Sequence, residues 1–400
     1  MAASAQFTPS VFATGQYQYS SNVFDLQHGF ESGPNDHSLA DRFYAYGAGV
    51  NLDEKVSQQD FHLRGSTTEF DYDHFSQLTH NEYTADAGWL WSIDQDFNGE
   101  IDVTRSRVMV PFTEIVSVQL SVETLQHEQA SGGFPITPEW RFDANVYQDT
   151  NKEPLISQNV YEPNLSFDDA GGGAAIKYMG AGEWVGSFNV GYQHGSFSGA
   201  SAGSGANYGP AYDQSTEWLG ATYAPAGQGA GISRFDFGIG RTSRTSRYGV
   251  DDTSGLTGHL DYARSLTGKT SVSLALDRNI STFITNAAGD VASSAALSAT
   301  WQATYKSGIN VGYNIVYVNL PLQGLDGTDR NDHLQFATLS IQYKALDWLA
   351  IQPYANYQTR KSNLYGANFN ASVFGASVII QWPQISGAVP QPSMNMAGAY

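Results

Sequence analysis

Residues Tyr83–Ile93 read YTADAGWLWSI, and apolar and polar positions alternate along most of this segment. One parity holds Tyr83, Ala85, Ala87, Trp89, Trp91 and Ile93, and the other holds Thr84, Asp86, Gly88 and Ser92. Successive side chains of a β-strand point to opposite faces, so this period of two predicts a strand with one apolar and one polar face. An amphipathic helix would repeat its apolar residues every three or four positions instead.

The same alternation recurs along the chain, in residues 42–52, 116–123, 184–193, 297–305 and 374–382. No comparable segment has a helical period, so we predict a nearly all-β chain. Short turns, the first at Asp53–Val56, alternate with longer polar loops such as 21–41 and 106–114. Eight short turns and nine longer loops join 18 predicted strands, with 16 strands as the alternative.

The composition excludes several classes of protein. Among 400 residues there are 23 Tyr, 21 Phe and 8 Trp, which is far more aromatic than a disordered chain. Lys and Arg number 20 against 39 Asp and Glu, and the resulting net charge of -19 argues against nucleic acid as a partner. The absence of Cys excludes disulfides, thiolate metal sites and Cys nucleophiles. No apolar run is long enough for a membrane-spanning helix.

These features together predict a transmembrane antiparallel β-barrel formed by residues 6–382 in the bacterial outer membrane. Closing the sheet satisfies every backbone group in lipid, and the apolar parity then faces the lipid of the outer membrane. Short turns are expected on the periplasmic side, together with both ends of the barrel, and the longer loops outside the cell. A large soluble β-sandwich or solenoid also alternates, and it remains the competing interpretation.

The two ends of the sequence are interpreted separately from the barrel. Ala3-Ser4-Ala5 has the small-residue pattern that precedes signal-peptide cleavage, so residues 1–5 are interpreted as a signal-peptide remnant or an expression start. Residues 383–400 follow a strand ending at Trp382, and we expect this tail to lie in the periplasm or to fold back into the lumen.

The polar positions of the alternating segments predict which side chains line the lumen. Their charged members are of mixed sign and are the pore-lining candidates: His62, Arg64, Asp86, Glu100, Asp102, Glu123, Arg141, Asp143, Lys177, Arg234, Asp236, His259, Asp261, Asp277, Lys344 and Arg360. One interpretation is that they form ion pairs between neighbouring strands, as between Glu123 and Arg141. The other is a hydrated conduit in which a polar solute makes many weak contacts.

Motifs for catalysis or metal binding are weak in this sequence. Residues 199–203, GASAG, match G-x-S-x-G but lie in a loop of an all-β chain rather than at a strand-to-helix turn. Asp326, Asp329 and Asp332 offer oxygen ligands for Ca²⁺, although a solvated acidic loop explains them better. Arg241, Arg244 and Arg247 near an external strand end would attract acidic sugars or balance nearby acids. We therefore predict no catalytic residue, no cofactor and no metal site.

Several short motifs in the first part of the chain follow one another at characteristic distances. They are Asn22-Val23-Phe24-Asp25-Leu26, Asp41-Arg42, Gly47-Ala48-Gly49-Val50, Phe61-His62-Leu63, Tyr72-Asp73-His74-Phe75-Ser76-Gln77-Leu78, Glu82-Tyr83 and Gly88-Trp89-Leu90-Trp91. This run, strongest over residues 17–150, resembles the EpsL-type outer-membrane proteins of exopolysaccharide loci, within the wider beta-barrel porin 2 family.

The resemblance implies an outer-membrane component of exopolysaccharide assembly or export. Its implied partners are a polysaccharide in transit and periplasmic polysaccharide-export and chain-length proteins. The favoured function is thus a passive polysaccharide conduit that makes and breaks no bond. The alternative is a general or small-solute diffusion porin, and a barrel hydrolase is the least favoured hypothesis.

Overall fold

The structure is a computed structural model that describes residues 6–27, 29, 38–94, 96–113, 118–152, 166–180, 183–197, 211–225, 231–246, 252–281, 289–320 and 329–383. Its strands are β1 Gln6–Ser20, β2 Asp41–Val56, β3 Gln59–Tyr72, β4 His80–Ile93, β5 Phe97–Met109, β6 Val122–Pro135, β7 Trp140–Lys152, β8 Phe167–Met179, β9 Trp184–Phe197, β10 Ala211–Tyr223, β11 Ser233–Ser246, β12 Thr253–Thr267, β13 Thr270–Ser281, β14 Asp290–Gln302, β15 Ser307–Leu320, β16 Arg330–Leu346, β17 Leu349–Ser362 and β18 Phe369–Trp382. One short 3₁₀ helix, Ser76–Leu78, precedes β4. Among the described residues no helix is long and apolar enough to cross a bilayer.

The strands form one closed antiparallel sheet. Each strand pairs with its neighbours in the chain, and β1 pairs with β18 from Val11 opposite Trp382 to Ser20 opposite Val373. Closure leaves no lateral edge along this register, which is the condition for a sheet to span lipid. The predicted all-β barrel of 18 strands is therefore confirmed.

Most connections alternate in length as predicted, but residues 224–232 between β10 and β11 form a longer connection than residues 247–252 between β11 and β12, and individual boundaries differ. Residues 57 and 58 alone join β2 to β3, whereas the predicted turn at Asp53–Val56 belongs to β2. There Asp53 pairs with His62 in the sheet, and the pairing of β2 with β3 continues to Val56 opposite Gln59. The predicted strand over 116–123 is also wrong: β6 begins at Val122, and Val118 and Leu120 lie before it and pack against an apolar cluster described below.

The outer face of the barrel is apolar and carries an aromatic belt near the short turns. Leu219 and Val146 are each 61% exposed on this face, which no other part of the described chain covers. Rings on adjacent strands contact each other, as in Phe61 against Trp89, with ring centroids 5.8 Å apart, and in Trp140 against Tyr178 at 5.0 Å. Amphipathic rings at this height are typical of the membrane interface. This surface is that of a barrel in the bacterial outer membrane.

An apolar cluster fills part of the lumen at the end with the long loops. We call it the mouth cluster; its buried members are Phe24, Leu26, Leu39, Phe43, Ala45, Phe70, Tyr72, Leu78, Met109 and Phe112. Some belong to the inward faces of β2 and β3, and others to segments 21–27 and 110–113, which fold inward from the loops. Ring contacts join the two sets, and Phe24 packs edge-on against Phe112 with centroids 5.2 Å apart. Burial of these side chains holds the two segments inside the mouth.

Candidate functional site: the wall of the lumen

The inward face of the barrel is identified by its buried polar side chains. Gln16, Gln352 and Ser377 are almost fully buried on β1, β17 and β18, while Tyr17 and Val378 on the opposite parity are exposed. Counting along each strand from such positions, the register places all sixteen pore-lining candidates on the inward parity. Their contact with a permeating solute stays a prediction.

Three of the candidates come together on adjacent strands β3, β4 and β5. The Nε2 atom of His62 lies 3.1 Å from Asp86 Oδ1 and 3.4 Å from Asp102 Oδ2. The hydroxyl of Thr104 donates to the other oxygen of Asp86 at 3.1 Å, and it lies 3.3 Å from Asp102 Oδ1. All three side chains are mostly buried against the wall, with exposures of 12%, 20% and 13% for His62, Asp86 and Asp102.

A glycine leaves the space in which His62 on β3 and Asp102 on β5 approach each other across β4. Gly88 pairs with His62 on one side and with Asp102 on the other. A Cβ at position 88 would lie 2.1 Å from His62 Cε1 and 2.9 Å from Asp102 Oδ2, so any larger residue would displace the imidazole. Gly238 provides the same space for His259, at 2.4 Å from its Cε1.

A second group lies nearer the short turns on β7 and β8. Asp143 accepts from Arg141 Nε at 2.6 Å and contacts Lys177 Nζ at 2.8 Å, while Arg141 also donates to Asn98 at 2.6 Å. A hollow of about 560 Å³ lies beside these residues. The pairing expected between Glu123 and Arg141 is wrong, because each lies at the beginning of its strand and β6 and β7 are antiparallel, so the two side chains are at opposite ends of the barrel. Glu123 instead accepts a hydrogen bond from Asn151.

A third group faces the lumen on β11 to β13. Asp236 lies 2.6 Å from His259 Nε2 and accepts a hydrogen bond from Thr222 at 2.5 Å. Asp261 is opposite Asp236 in the register, and Asp277 is opposite His259. Among the described residues, no Lys or Arg lies within ion-pair distance of Asp261 or Asp277, or of Glu100 on β5, so both parts of the wall keep an excess of negative charge.

The strands that adjoin this third group, β13 to β16, carry neutral hydrogen-bonding groups. Ser273 and Ser298 on β13 and β14 lie 2.6 Å apart, and Thr300 donates to Asn310 on β15 at 2.9 Å. Asn310 continues this line to Ser340 on β16 at 3.4 Å. We call these five side chains the hydroxyl track. They present donors and acceptors to the lumen without a formal charge.

Sequence reasoning missed a buried polar group on β8 to β11. Arg244, which was expected at the surface, is 1% exposed, donates to Gln214 at 2.9 Å, and lies over the Tyr212 ring at 3.9 Å. The Tyr212 hydroxyl donates to Asp169 at 2.7 Å. In the sequence, Gly195 was the one sign of this group, because it leaves room for the Tyr212 ring: a Cβ at position 195 would lie 2.3 Å from that ring. Of the other two arginines, Arg241 lies on the outward parity and Arg247 lies outside the described residues.

The remaining motifs are only partly covered by the structure. Asp332 forms a buried ion pair at 2.6 Å with Arg330, two residues earlier on β16, and this ion pair occupies the carboxylate that was considered as a Ca²⁺ ligand. Asp326 and the G-x-S-x-G residues 199–203 lie outside the described residues, as do residues 1–5 and 384–400.

Lys344 and Arg360 are the last two candidates, and they have different environments. Lys344 pairs with Ala350 beside a register shift near the short turn. Arg360 is 1% exposed at the other end of β17, where it donates to the backbone carbonyls of Thr113 and Ala367 and lies over the Phe369 ring at 5.0 Å. Arg360 therefore fastens the inward-folded segment 110–113 to the barrel wall and is not free in the lumen.

Asp25 belongs to the other inward-folded segment, 21–27, and lies beside Arg360 of β17. It accepts a hydrogen bond from Gln358 at 2.6 Å, and it lines a cavity of about 110 Å³ within the mouth. Burial raises the pKa of Asp25 to about 7, although Arg360 and Gln358 act in the opposite direction. Its backbone has a φ of 51°, in the left-handed region that Asp and Asn tolerate better than most residues.

The motifs that carry the family resemblance converge on this same region. Asp41 accepts from the backbone N–H groups of Arg42, His74 and Phe75, at 2.7, 3.0 and 2.9 Å. Phe75 packs in turn against Phe24, with centroids 4.7 Å apart. The conspicuous motifs of residues 22–26, 41–42 and 72–78 thus build one structural assembly at the mouth.

Comparisons with known proteins agree with this architecture. No protein-family model and no curated protein matches the sequence. The structure of OccK1 (OpdK) from Pseudomonas aeruginosa aligns with a TM-score of 0.50 and 11% identity, covering 94% of this chain and 99% of that one. The FrpB iron transporter from Neisseria meningitidis aligns with a TM-score of 0.50 and 10% identity, covering 91% and 66%.

At these identities the likeness is one of fold. The chain shares the closed-barrel fold of outer-membrane porins and transporters, while the exopolysaccharide part of the resemblance finds no support in the comparisons and stays a prediction.

Proposed function

We propose that this protein is a water-filled diffusion channel for small polar solutes across the outer membrane. The observation that carries the proposal is the two-sided wall, with ionisable groups on β3 to β13 and the hydroxyl track on β13 to β16. Barrels of about 16 to 18 strands are wide enough for an aqueous interior. Such a wall replaces part of a solute's hydration as it passes.

The wall favours passage over tight binding. Each hydrogen bond exchanged with water contributes only about 1 kcal/mol net, so a solute is released as readily as it is held. Three inward carboxylates, Glu100, Asp261 and Asp277, have no ion-pair partner among the described residues, and they make the lumen attractive to cations. We therefore expect a weakly cation-selective channel that also passes neutral hydroxylated solutes.

The expected result in planar bilayers is a stable conductance with a reversal potential of the cation-selective sign in a KCl gradient. Replacing Glu100, Asp261 and Asp277 together by their amides should shift that potential toward zero. Any one substitution should shift it only slightly, because the charge is distributed. Barrel folding is checked by the shift in electrophoretic mobility on boiling. A natural chain that inserts but does not conduct would contradict the proposal.

A matched variant separates charge from hydrogen bonding. Replacing Ser273 and Ser298 by alanine removes part of the hydroxyl track without changing any charge. We expect it to leave the reversal potential unchanged while altering the rate at which neutral sugars enter liposomes that contain the channel. An equal shift in reversal potential for both variants would argue against a division of the wall into two functional sides.

A polysaccharide conduit is the second candidate, and one observation favours it. The motifs that resemble EpsL-type proteins form the assembly around Asp41 and Phe24 at the mouth, where a polymer would leave the barrel. The experiment that separates the two functions is deletion of the gene in its natural host. Loss of secreted polymer with unchanged uptake of small solutes would support the conduit, and the reverse result would support the diffusion channel.

A further inference from the structure

We propose that His62, Asp86 and Asp102 form a binding site for a divalent transition-metal cation, of which Zn²⁺ is the best match. The site lies on the inward faces of β3, β4 and β5. Its existence does not depend on the transport function proposed above, because cation binding is measured on the purified barrel.

The distances between the three side chains are those of a metal site. Zn²⁺ binds imidazole nitrogen and carboxylate oxygen at about 2.0–2.2 Å, so two ligands of a tetrahedral site lie about 3.3–3.5 Å apart. His62 Nε2 is 3.1 Å from Asp86 Oδ1 and 3.4 Å from Asp102 Oδ2. All three ligand atoms lie within 4.8 Å of one another, so small side-chain adjustments suffice for one cation to contact them all.

A neighbouring hydroxyl lies between the two carboxylates and, with its single proton, donates to one of them at a time. Thr104 contacts Asp86 Oδ2 and Asp102 Oδ1, and these are the oxygens that do not face the imidazole. The other oxygen of each carboxylate faces His62 Nε2. Hydrogen bonds of this kind around a metal site fix the ligands and raise metal affinity. An ion pair between a protonated His62 and one carboxylate would not require the second carboxylate to be oriented in the same way.

The backbone of β4 also leaves space for the three ligands to approach one another. Gly88 lies between His62 and Asp102 in the register, and any side chain there would separate them. Among the described residues, no Lys or Arg comes within ion-pair distance of Asp86 or Asp102. Two carboxylates and a neutral imidazole together carry a charge that one divalent cation neutralises, and the lumen supplies water for the open coordination position.

Comparison with other His–Asp pairs shows why this group is distinct. His259 with Asp236, and His127 with Asp149, are each close pairs on the barrel. Within the part of the chain that the structure describes, only the group at His62 brings three ligand atoms together. One nitrogen and two oxygens suit Zn²⁺, Co²⁺ or Ni²⁺, whereas Ca²⁺ requires six to eight oxygen ligands.

The test is isothermal titration of the folded, detergent-solubilised full chain with ZnCl₂ at neutral pH. We expect one saturable site, and a loss of affinity of about tenfold or more in His62→Ala, in Asp102→Asn and in Gly88→Ala. Gly88→Ala retains every ligand and tests the geometry alone. Gly65→Ala, on the neighbouring β3 with nothing within 4 Å of the added Cβ, is its matched control. His259→Ala controls for the removal of an inward histidine, and both controls should bind Zn²⁺ normally.

A second measurement distinguishes loss of the metal site from misfolding of a variant. Co²⁺ bound by the natural chain should show the visible absorption of a tetrahedral nitrogen–oxygen site, and this absorption should vanish in the heat-modifiable, folded His62→Ala variant. The absence of saturable Zn²⁺ binding by the natural chain would overturn the proposal. Equal affinity in the natural chain and in His62→Ala would do so too, since it would assign the metal to another site. A barrel that binds Zn²⁺ but does not conduct would refute only the channel function.

Discussion

The Arg360→Met variant is expected to form channels of severalfold larger and noisier conductance than the natural chain. Arg360 is buried, and its guanidinium donates to the carbonyls of Thr113 and Ala367 beside Asp25. Methionine fills a similar volume but leaves these acceptors unpaired and Asp25 without its nearby cation. Removing one partner of a buried charge network costs about 3–5 kcal/mol, enough to release segments 21–27 and 110–113 from the mouth.

Single-channel recording in planar bilayers measures this effect. Arg64→Met is the matched control, because Arg64 also faces inward but is half exposed and lies as far as 3.8 Å from its partner Asp53. Such an exposed pair contributes little to stability, so the control should leave the conductance nearly unchanged. If Arg360→Met conducts like the natural chain while remaining folded, the mouth cluster does not obstruct the lumen.

Docking of segment 21–27 is expected to weaken as the pH rises from about 5 to about 8. Burial raises the pKa of Asp25 from 3.8 to about 7, so the docked state holds a proton that the undocked state releases. The contribution of Asp25 to the stability of the docked segment is fully present below 3.8, the ordinary pKa of its carboxyl group. This contribution is lost as the pH rises through about 7. Above that pH the carboxylate is charged, and its burial is compensated only by Arg360 and Gln358.

Asp25→Asn should abolish this pH dependence. The amide keeps the oxygen that accepts from Gln358 and suits the left-handed backbone, but it carries no charge to desolvate. Hydrogen exchange of residues 22–27, corrected for intrinsic rates, should be faster by about tenfold or more at the higher pH in the natural chain. The variant should be equally protected at both values. Equal protection of the natural chain at both values would show that Asp25 is not buried as a titrating group.

The fold was predictable because it depends on one periodic property of the sequence. Alternation in segments such as Tyr83–Ile93 fixes which side chains face lipid, and closure of the sheet follows from the cost of an open edge in a membrane. The boundaries near the mouth were not predictable in the same way. Val118 and Leu120 alternate like strand residues but are partly buried against the mouth cluster, and periodicity does not distinguish such a segment from a lipid-facing strand.

The lumenal clusters were only partly predictable for a related reason. Parity shows that His62 and Asp102 face inward, but their approach depends on the strand register and on the space left by Gly88. Glu123 and Arg141 have the right parity and opposite charge, yet they stand at different heights in the barrel. Predicting such partners requires the register, and that in turn requires knowing where each turn begins.

The pairing of β1 with β18 has a consequence for how this protein acquires its structure. All other strand pairs join neighbours in the chain and are local, whereas this pair joins Val11 to Trp382. Bringing together positions so distant in sequence is entropically slow, and until it happens the sheet has two edges with unpaired backbone groups. The polypeptide therefore has to be kept from aggregating until its final strand is available, and the barrel is assembled only after synthesis of that strand. Mutations that weaken this one seam should slow assembly far more than they weaken the finished barrel.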